Sequence, residues 1–295
     1  GLVKSIDNDA AIPGGMDSIG FVSAAKVMAR TLKGLARDAQ NSDTMVHVPI
    51  LSGNQVGHLT ERASRMADLP LCIIPERLAE GTPLNFIIDI IIGAWLKGAT
   101  RNPPVTHLVV PIAEGVLARL DERSCPGLAE AKLKSHEGVT ANHYPLSVSL
   151  QDAAQHAFTQ INTPPTGKIS VRSAYHGYAA RGAEADSLDV EMARSHVSAA
   201  LADLARGATG MVYFGTQHNV TSAPLASLRH PDGRGMERGV DPSDRVVNTY
   251  WSAHGSWRLQ PPDLEGDSLR RICEILGLDQ ERNRERFGPV ANWGA

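Results

Sequence analysis

Apolar residues recur along this chain at two periods, and the two alternate. Val22, Ala25, Met28, Leu32 and Leu35 mark one stripe over Gly20 to Ala39, with basic residues opposite, which predicts a helix. Met45 to Leu51 is β-branched and apolar and closes on Ser52-Gly53-Asn54, which predicts a strand and a turn. A helix over Leu59 to Met66 follows, then a buried strand over Leu71 to Ile74 that ends at Pro75-Glu76. Leu84 to Lys97 reads as a helix, and His107 to Ile112 as a strand ending at Ala113-Glu114-Gly115. Leu2 to Val3 reads as the end of a further strand. This βαβαβ order predicts a parallel sheet covered on both faces, with functional residues where strands end.

The pattern loosens over Ser135 to Gly167, where Leu150 to Gln160 predicts a helix and Thr163 to Gly167 a turn or linker. Beyond it come a strand over Lys168 to Tyr175 and a loop over Gly177 to Gly182. A strongly amphipathic helix follows over Asp189 to Arg206, then a strand over Gly210 to Gly215. The tail holds Gly-, Pro- and Arg-rich loops and a helix over Ser268 to Leu276. There is no internal repeat and no low-complexity block.

Composition narrows the class. At 295 residues, 42% hydrophobic and 21% charged, the chain suits one large or two smaller packed domains. A net charge of −3 argues against a dedicated nucleic-acid binder. Cys72, Cys125 and Cys273 are odd in number and scattered, which fits a reduced, cytoplasmic protein. His47, His58, His107 and His176 form no metal-ligand spacing. No signal peptide is visible, and the apolar run Phe86 to Leu96 carries Asp89 and is too short for a bilayer, so no membrane association is expected. Asn219-Val220-Thr221 matches a glycosylation acceptor, without meaning in a cytoplasmic chain.

The stretch richest in chemistry is Lys4-Ser5-Ile6-Asp7-Asn8-Asp9. A strand end runs into two carboxylates, with a hydroxyl and a lysine beside them, which suits proton abstraction next to a phosphoryl group. Asp7 and Asp9 equally suit an Asx turn. Glu76 and Glu114 after buried strands equally suit helix N-terminal charges or solvated loop residues, the better reading for Glu114. Arg181 is compatible with a plain surface position, and Tyr178 with core packing.

In order and spacing these segments resemble the phosphofructokinase family, closer to its pyrophosphate-dependent branch, over about residues 1–225. Lys4 to Asp9 is similar to the family's Lys-Thr-Ile-Asp-Asn-Asp loop, Asp17-Ser18-Ile19-Gly20-Phe21 to the loop that opens the next helix, and Ser52-Gly53-Asn54 to Met-Gly-Arg. Ile74-Pro75-Glu76 is similar to Ile-Pro-Glu, Ala113-Glu114-Gly115 to Ala-Glu-Gly, and Gly177 to Arg181 to Gly-Tyr-x-x-Arg. The resemblance implies an α/β fold of two Rossmann-like parallel-sheet domains, the first incomplete. Residues 1–18 and 176–240 would be the remnant of the phosphate-donor domain, and 19–175 and 241–295 the sugar-phosphate acceptor domain.

It also implies a glycolytic, Mg-dependent transfer of a phosphoryl group from pyrophosphate, or ATP, to the 1-hydroxyl of fructose 6-phosphate. Asp7 would be the general base, with Ser5 and Lys4 beside the transferring group and Lys4 favouring pyrophosphate. Asp9 would place Mg²⁺. Gly53, Asn54, Glu76, Tyr178, Arg181 and Arg172 would face the sugar phosphate. Asn54 stands where the family has an arginine, and a second family arginine falls near Met45. The family's upstream Gly-Gly-Asp donor loop is absent. That leaves three expectations: a fragment or cleavage product, a donor half supplied by a partner polypeptide, or a divergent chain with another acceptor or a regulatory role. A homo- or hetero-oligomer is implied.

Overall fold

The computed structural model describes residues 1–295 except 43, 136–137, 163–166, 232–234, 254–256 and 294–295. In chain order the elements are α1 (Phe21–Ser42), β1 (Met45–His47), β2 (Ile50–Leu51), α2 (His58–Met66), α3 (Leu84–Ala99), β3 (Leu108–Val109), β4 (Ile112–Ala113), α4 (Val116–Arg119), α5 (Leu128–Lys134) and α6 (Leu146–Thr159). Then come β5 (Ser170–Arg172), α7 (Gly177–Arg181), α8 (Ser187–Ala205), β6 (Met211–Thr216), β7 (Asn219–Pro224), α9 (Arg245–Ala253), α10 (Gly266–Leu276) and α11 (Gln280–Ala291).

The main sheet is parallel. β1 lies between β3 and β5, with Val46 opposite Leu108 and Val171. β2 pairs with β4, and Ile73 pairs with Ile112 on the far side. The expected strand over 45–51 is divided at Val48-Pro49, and its neighbour at Val110-Pro111, because proline has no N–H for the ladder. Pairing nevertheless runs through both interruptions. Val48 N and Ile50 N donate to Arg172 O and Ala174 O at 2.8 and 2.9 Å, and Pro49 O accepts from Ile112 N at 2.9 Å. Successive residues go to opposite faces. Val46, Val48 and Ile50 join the larger buried cluster with α3, α6 and the C-terminal helices, whereas Leu51 and Val109 join Phe21, Met28, Leu32 and Leu59 of α1 and α2. Burial on both faces is why these strands read as unbroken apolar runs.

A smaller group packs around Ile12, Val212 and Phe214. There β6 and β7 form an antiparallel hairpin, Leu2 pairs in parallel with Tyr213, and Lys4 pairs with Ile19. The segment from Lys4 to Gly20 therefore links this hairpin to the start of α1.

Several expectations change. The stretch from Gly177 is the short helix α7 rather than a loop. The expected helix after it is present as α8, but it is not cleanly amphipathic. Asp189, Met192 and His196 are buried while Leu188, Val197, Leu201 and Leu204 are exposed. Asp189 explains part of this: its carboxylate accepts from Gly20 N at 2.9 Å and Ser23 N at 2.8 Å, capping α1. Asp89, inside the apolar run of α3, is answered by Arg286 of α11 at 2.7 Å. Most of the linker expected at Thr163 to Gly167 lies outside the described residues.

Candidate active site

The loop after Lys4 turns on one residue. Asn8 is buried and holds a left-handed backbone, φ +56°, a conformation Asn tolerates better than most residues. Its side chain explains the choice. Oδ1 accepts from Ser18 N at 2.9 Å, and Nδ2 donates to Asp17 Oδ1 at 3.3 Å. Ser18 Oγ in turn donates to Ser5 O at 2.7 Å. Asp17 takes two contacts from Arg62 of α2, at 3.2 and 3.3 Å.

Asp7 and Asp9 stand on either side of that turn. Asp9 is held: Ser5 Oγ donates to its Oδ1 at 2.7 Å, and Asn54 Nδ2 to its Oδ2 at 3.4 Å. Asp7 is not. Its Oδ1 is buried with no hydrogen-bond partner. Burial pushes its carboxyl up to about 6, aided by the charges of Asp9 and Glu114 and opposed by Arg181 and Lys4. A half-buried carboxylate with one buried, unpartnered oxygen, raised toward neutrality within reach of the charges of Arg181 and Lys4, has the properties of a proton acceptor.

Lys4 and Arg181 also line a pocket of about 260 Å³ with Ile6, Gly20, Ala180 and Val190. Its walls are mostly apolar, and its charged residues are Lys4, Arg181 and Asp189.

The Ser52 loop is built around Glu114. That carboxylate is 1% exposed, so it is not the solvated residue expected from sequence. Its Oε1 accepts from Ser52 Oγ, Gly53 N and Asn54 N at 3.2, 3.1 and 3.3 Å, and its Oε2 from Ala141 N at 3.0 Å. These donors satisfy a charge that would otherwise be costly to bury. Gly53 is required for space, since a Cβ there would come 2.6 Å from Val56 O.

Glu76 follows a buried strand as expected, but its partners come from elsewhere. Oε1 accepts from Gly57 N and Val240 N, both at 2.9 Å, while Oε2 is buried without a partner. Burial raises its carboxyl above the ordinary range, and the two N–H donors oppose that. Val240 ends a strap that begins at Met236. Ala11 N donates to Met236 O at 3.0 Å and Arg238 N to Asp9 O at 2.6 Å, and the His58 ring donates to Arg238 O at 3.0 Å. The strap thus joins the Asp9 loop to Glu76.

The structure therefore brings Lys4, Ser5, Asp7, Asp9, Gly53, Asn54 and Arg181 into one neighbourhood, with Glu76 joined through the strap. Tyr178 is 70% exposed, with its ring edge-on to Tyr175 at 6.0 Å. Arg172 is exposed in β5 and in register with His47, five residues before Ser52. The sequence placed Asn8 and Asp17 within motifs but gave neither a role, and it left Arg62 and Arg238 out. Arg62 had a weak signal, one turn into a helix that opens beside the Ser52 loop. Arg238 had none.

Among the described residues, no group of three His, Cys, Asp or Glu side chains is arranged to hold a metal. Magnesium needs no such cage, since it is commonly carried by one or two carboxylates and the substrate's phosphates. Asp9 beside the unpartnered Asp7 oxygen fits that requirement.

No family model matches the chain. Curated relatives do. A pyrophosphate–fructose 6-phosphate 1-phosphotransferase of Thermotoga maritima is 25% identical over 296 aligned residues, 96% of this chain and 67% of that protein. One of the same name from Naegleria fowleri is 25% identical over 279 residues, 90% of this chain and 61% of that protein. The chain resembles the phosphofructokinases. It spans 61–67% of the length of these two relatives. Solved structures place its α/β fold among those of phosphofructokinases. The pyrophosphate-dependent phosphofructokinase from Marinobacter aquaeolei superposes with a TM-score of 0.52 at 17% identity, over 86% of this chain and 59% of that one. The phosphofructokinase of Saccharomyces cerevisiae gives 0.54 at 16%, over 99% and 31%.

Proposed function

We propose that this chain carries the acceptor site and general base of a phosphofructokinase-type phosphotransferase, with pyrophosphate as donor and fructose 6-phosphate as acceptor. The observation that carries the reading is Asp7: half-buried, with a buried Oδ1 that has no partner, and pushed up to about 6 by burial and by Asp9 and Glu114, against the opposing charges of Arg181 and Lys4. As the phosphoryl group moves to the 1-hydroxyl, the Asp7 carboxylate takes the hydroxyl proton, so the attacking oxygen carries no positive charge. Lys4 supplies a point charge to the donor phosphates, and Ser5, fixed by its bond to Asp9, keeps its loop in place. Arg181 holds the acceptor's phosphate by charge-assisted bonds, with Tyr178 beside it on α7. Asp9 would hold magnesium, which neutralises donor charge when bound. Residues 1–18 and 176–240 would then belong with the donor side, and 19–175 and 241–295 with the acceptor side.

The test is product formation by the chain with Mg²⁺, fructose 6-phosphate and either pyrophosphate or ATP. Fructose 1,6-bisphosphate made preferentially from pyrophosphate is expected. No product with either donor would refute the reading.

A second reading has its own observation. Asn54 and Met45 stand where the family carries arginines, and Glu76 Oε1 already has two backbone donors. Both features reduce what is available to a phosphorylated sugar, and favour another acceptor or a regulatory subunit. A panel of phosphorylated and free sugars separates the two, since clear preference for fructose 6-phosphate eliminates this alternative.

A further inference from the structure

Away from the Asp7 loop, two guanidinium groups share one indole. Arg77 Cζ lies 4.3 Å from the centroid of the Trp251 ring, and Arg258 Cζ lies 5.9 Å from the same point. Half-buried arginines elsewhere in this fold are answered by carboxylates: Arg62 by Asp17, Arg65 by Glu61, Arg286 by Asp89. Arg238, which lacks an ion pair, is met by the carbonyls of Asn8 and Met16.

Arg77 and Arg258 differ. Among the described residues neither has a carboxylate partner. Arg258 places Nη1 on Trp293 O at 2.6 Å, and the Arg77 guanidinium makes no hydrogen bond. Arg77 Nε, Arg258 Nε and Trp251 Nε1 are all buried donors without an acceptor. Cys72, which couples electrostatically to Arg77, is kept neutral because burial pushes its thiol far up. Beyond the Trp293 carbonyl that meets Arg258, the cluster therefore offers donors and positive charge and, among the described residues, no acceptor for the three buried N–H groups. Cation–π contact with one indole is a weak return for holding two like charges and three buried, idle donors together.

We propose that Arg77, Arg258 and Trp251 Nε1 form a binding site for a small oxyanion, a phosphate group either free or carried on a phosphomonoester. Arginine forks and an indole N–H supply donors without acceptors, which matches an all-acceptor ligand. The site is separate from the Asp7 loop and does not rest on the transfer reaction. Its position gives it a route to the candidate site. Arg77 directly follows Glu76, and Trp251 lies on the helix that follows the strap at Val240.

The test is titration of the folded chain with inorganic phosphate, and separately with glycerol phosphate, against chloride at matched ionic strength. The readouts are tryptophan fluorescence and Tm. A saturable change with phosphate is expected, retained in Lys4→Met and weakened at least tenfold in Arg77→Met and in Arg258→Met. Retention in Lys4→Met separates this site from the one proposed for catalysis. A response to both ligands shows that the phosphoryl group alone is recognised, and a response to glycerol phosphate only assigns the site to a phosphomonoester. If Arg77→Met does not fold, Arg258→Met decides, since it leaves the closer Arg77–Trp251 stack in place. No saturable response to either ligand beyond chloride, or one that survives the arginine substitutions, would overturn the proposal.

Discussion

Asp7 carries opposite demands for stability and for chemistry. Its carboxyl is held at about 6 against an ordinary value of 3.8, chiefly by burial. The folded chain thus binds this proton more tightly than the unfolded chain does. The stability from the protonated form is fully present below about pH 4 and is lost as pH rises through 6. Asp7→Asn removes that loss. It should raise Tm at pH 8, by on the order of 1–3 kcal/mol of stability, and leave Tm unchanged near pH 4. Thermal denaturation at the two pH values checks this; an equal shift at both would mean that the ionised carboxylate is not what costs stability. Glu114 shows the contrary arrangement. It is buried as deeply as any core residue, yet backbone and hydroxyl donors from two loops surround it. Its motif was visible in the sequence, but its burial was not. That depends on N–H groups some sixty residues away in the chain.

At the scale of elements, the Asp7 loop depends on α2. Arg62 fixes Asp17, Asp17 meets Asn8, and Asn8 sets the left-handed turn between the two carboxylates. Arg62→Met should cut turnover roughly tenfold, since small misplacement of reacting groups is expensive, and Arg62→Lys should restore part of it. NMR titration of Asp7 gives a readout beyond activity. A moved titration in Arg62→Met supports positioning, whereas unchanged turnover with unchanged titration contradicts it. The strands and the first helices were legible because burial on one or both faces writes a period into the sequence. The helix at Gly177 was not, because five residues are too few for a period. Nor were α9 and α11. The second of these is mostly charged along its exposed side, and buries Asn283 as well as Phe287 and Val290. The strap was invisible for another reason: Met236, Arg238 and Val240 act largely through backbone groups, which leave no mark on residue type.

At the scale of the molecule, a two-faced parallel sheet presents the Ser52 and Glu114 loops at its strand ends. A small hairpin group holds the segment that leads into Asp7 and Asp9. The candidate site forms where these meet, with the strap between Asp9 and Glu76. Among the described residues no helix is long and apolar enough to cross a membrane. The most direct measurement on the central proposal is pyrophosphate-dependent turnover of Asp7→Asn beside the unsubstituted chain, from pH 5 to 9. The unsubstituted chain should gain activity as pH rises through about 6, and Asp7→Asn should fall by about 100-fold or more throughout, the usual scale for a general base. Near-normal turnover in Asp7→Asn, with the same acid limb, would contradict the account.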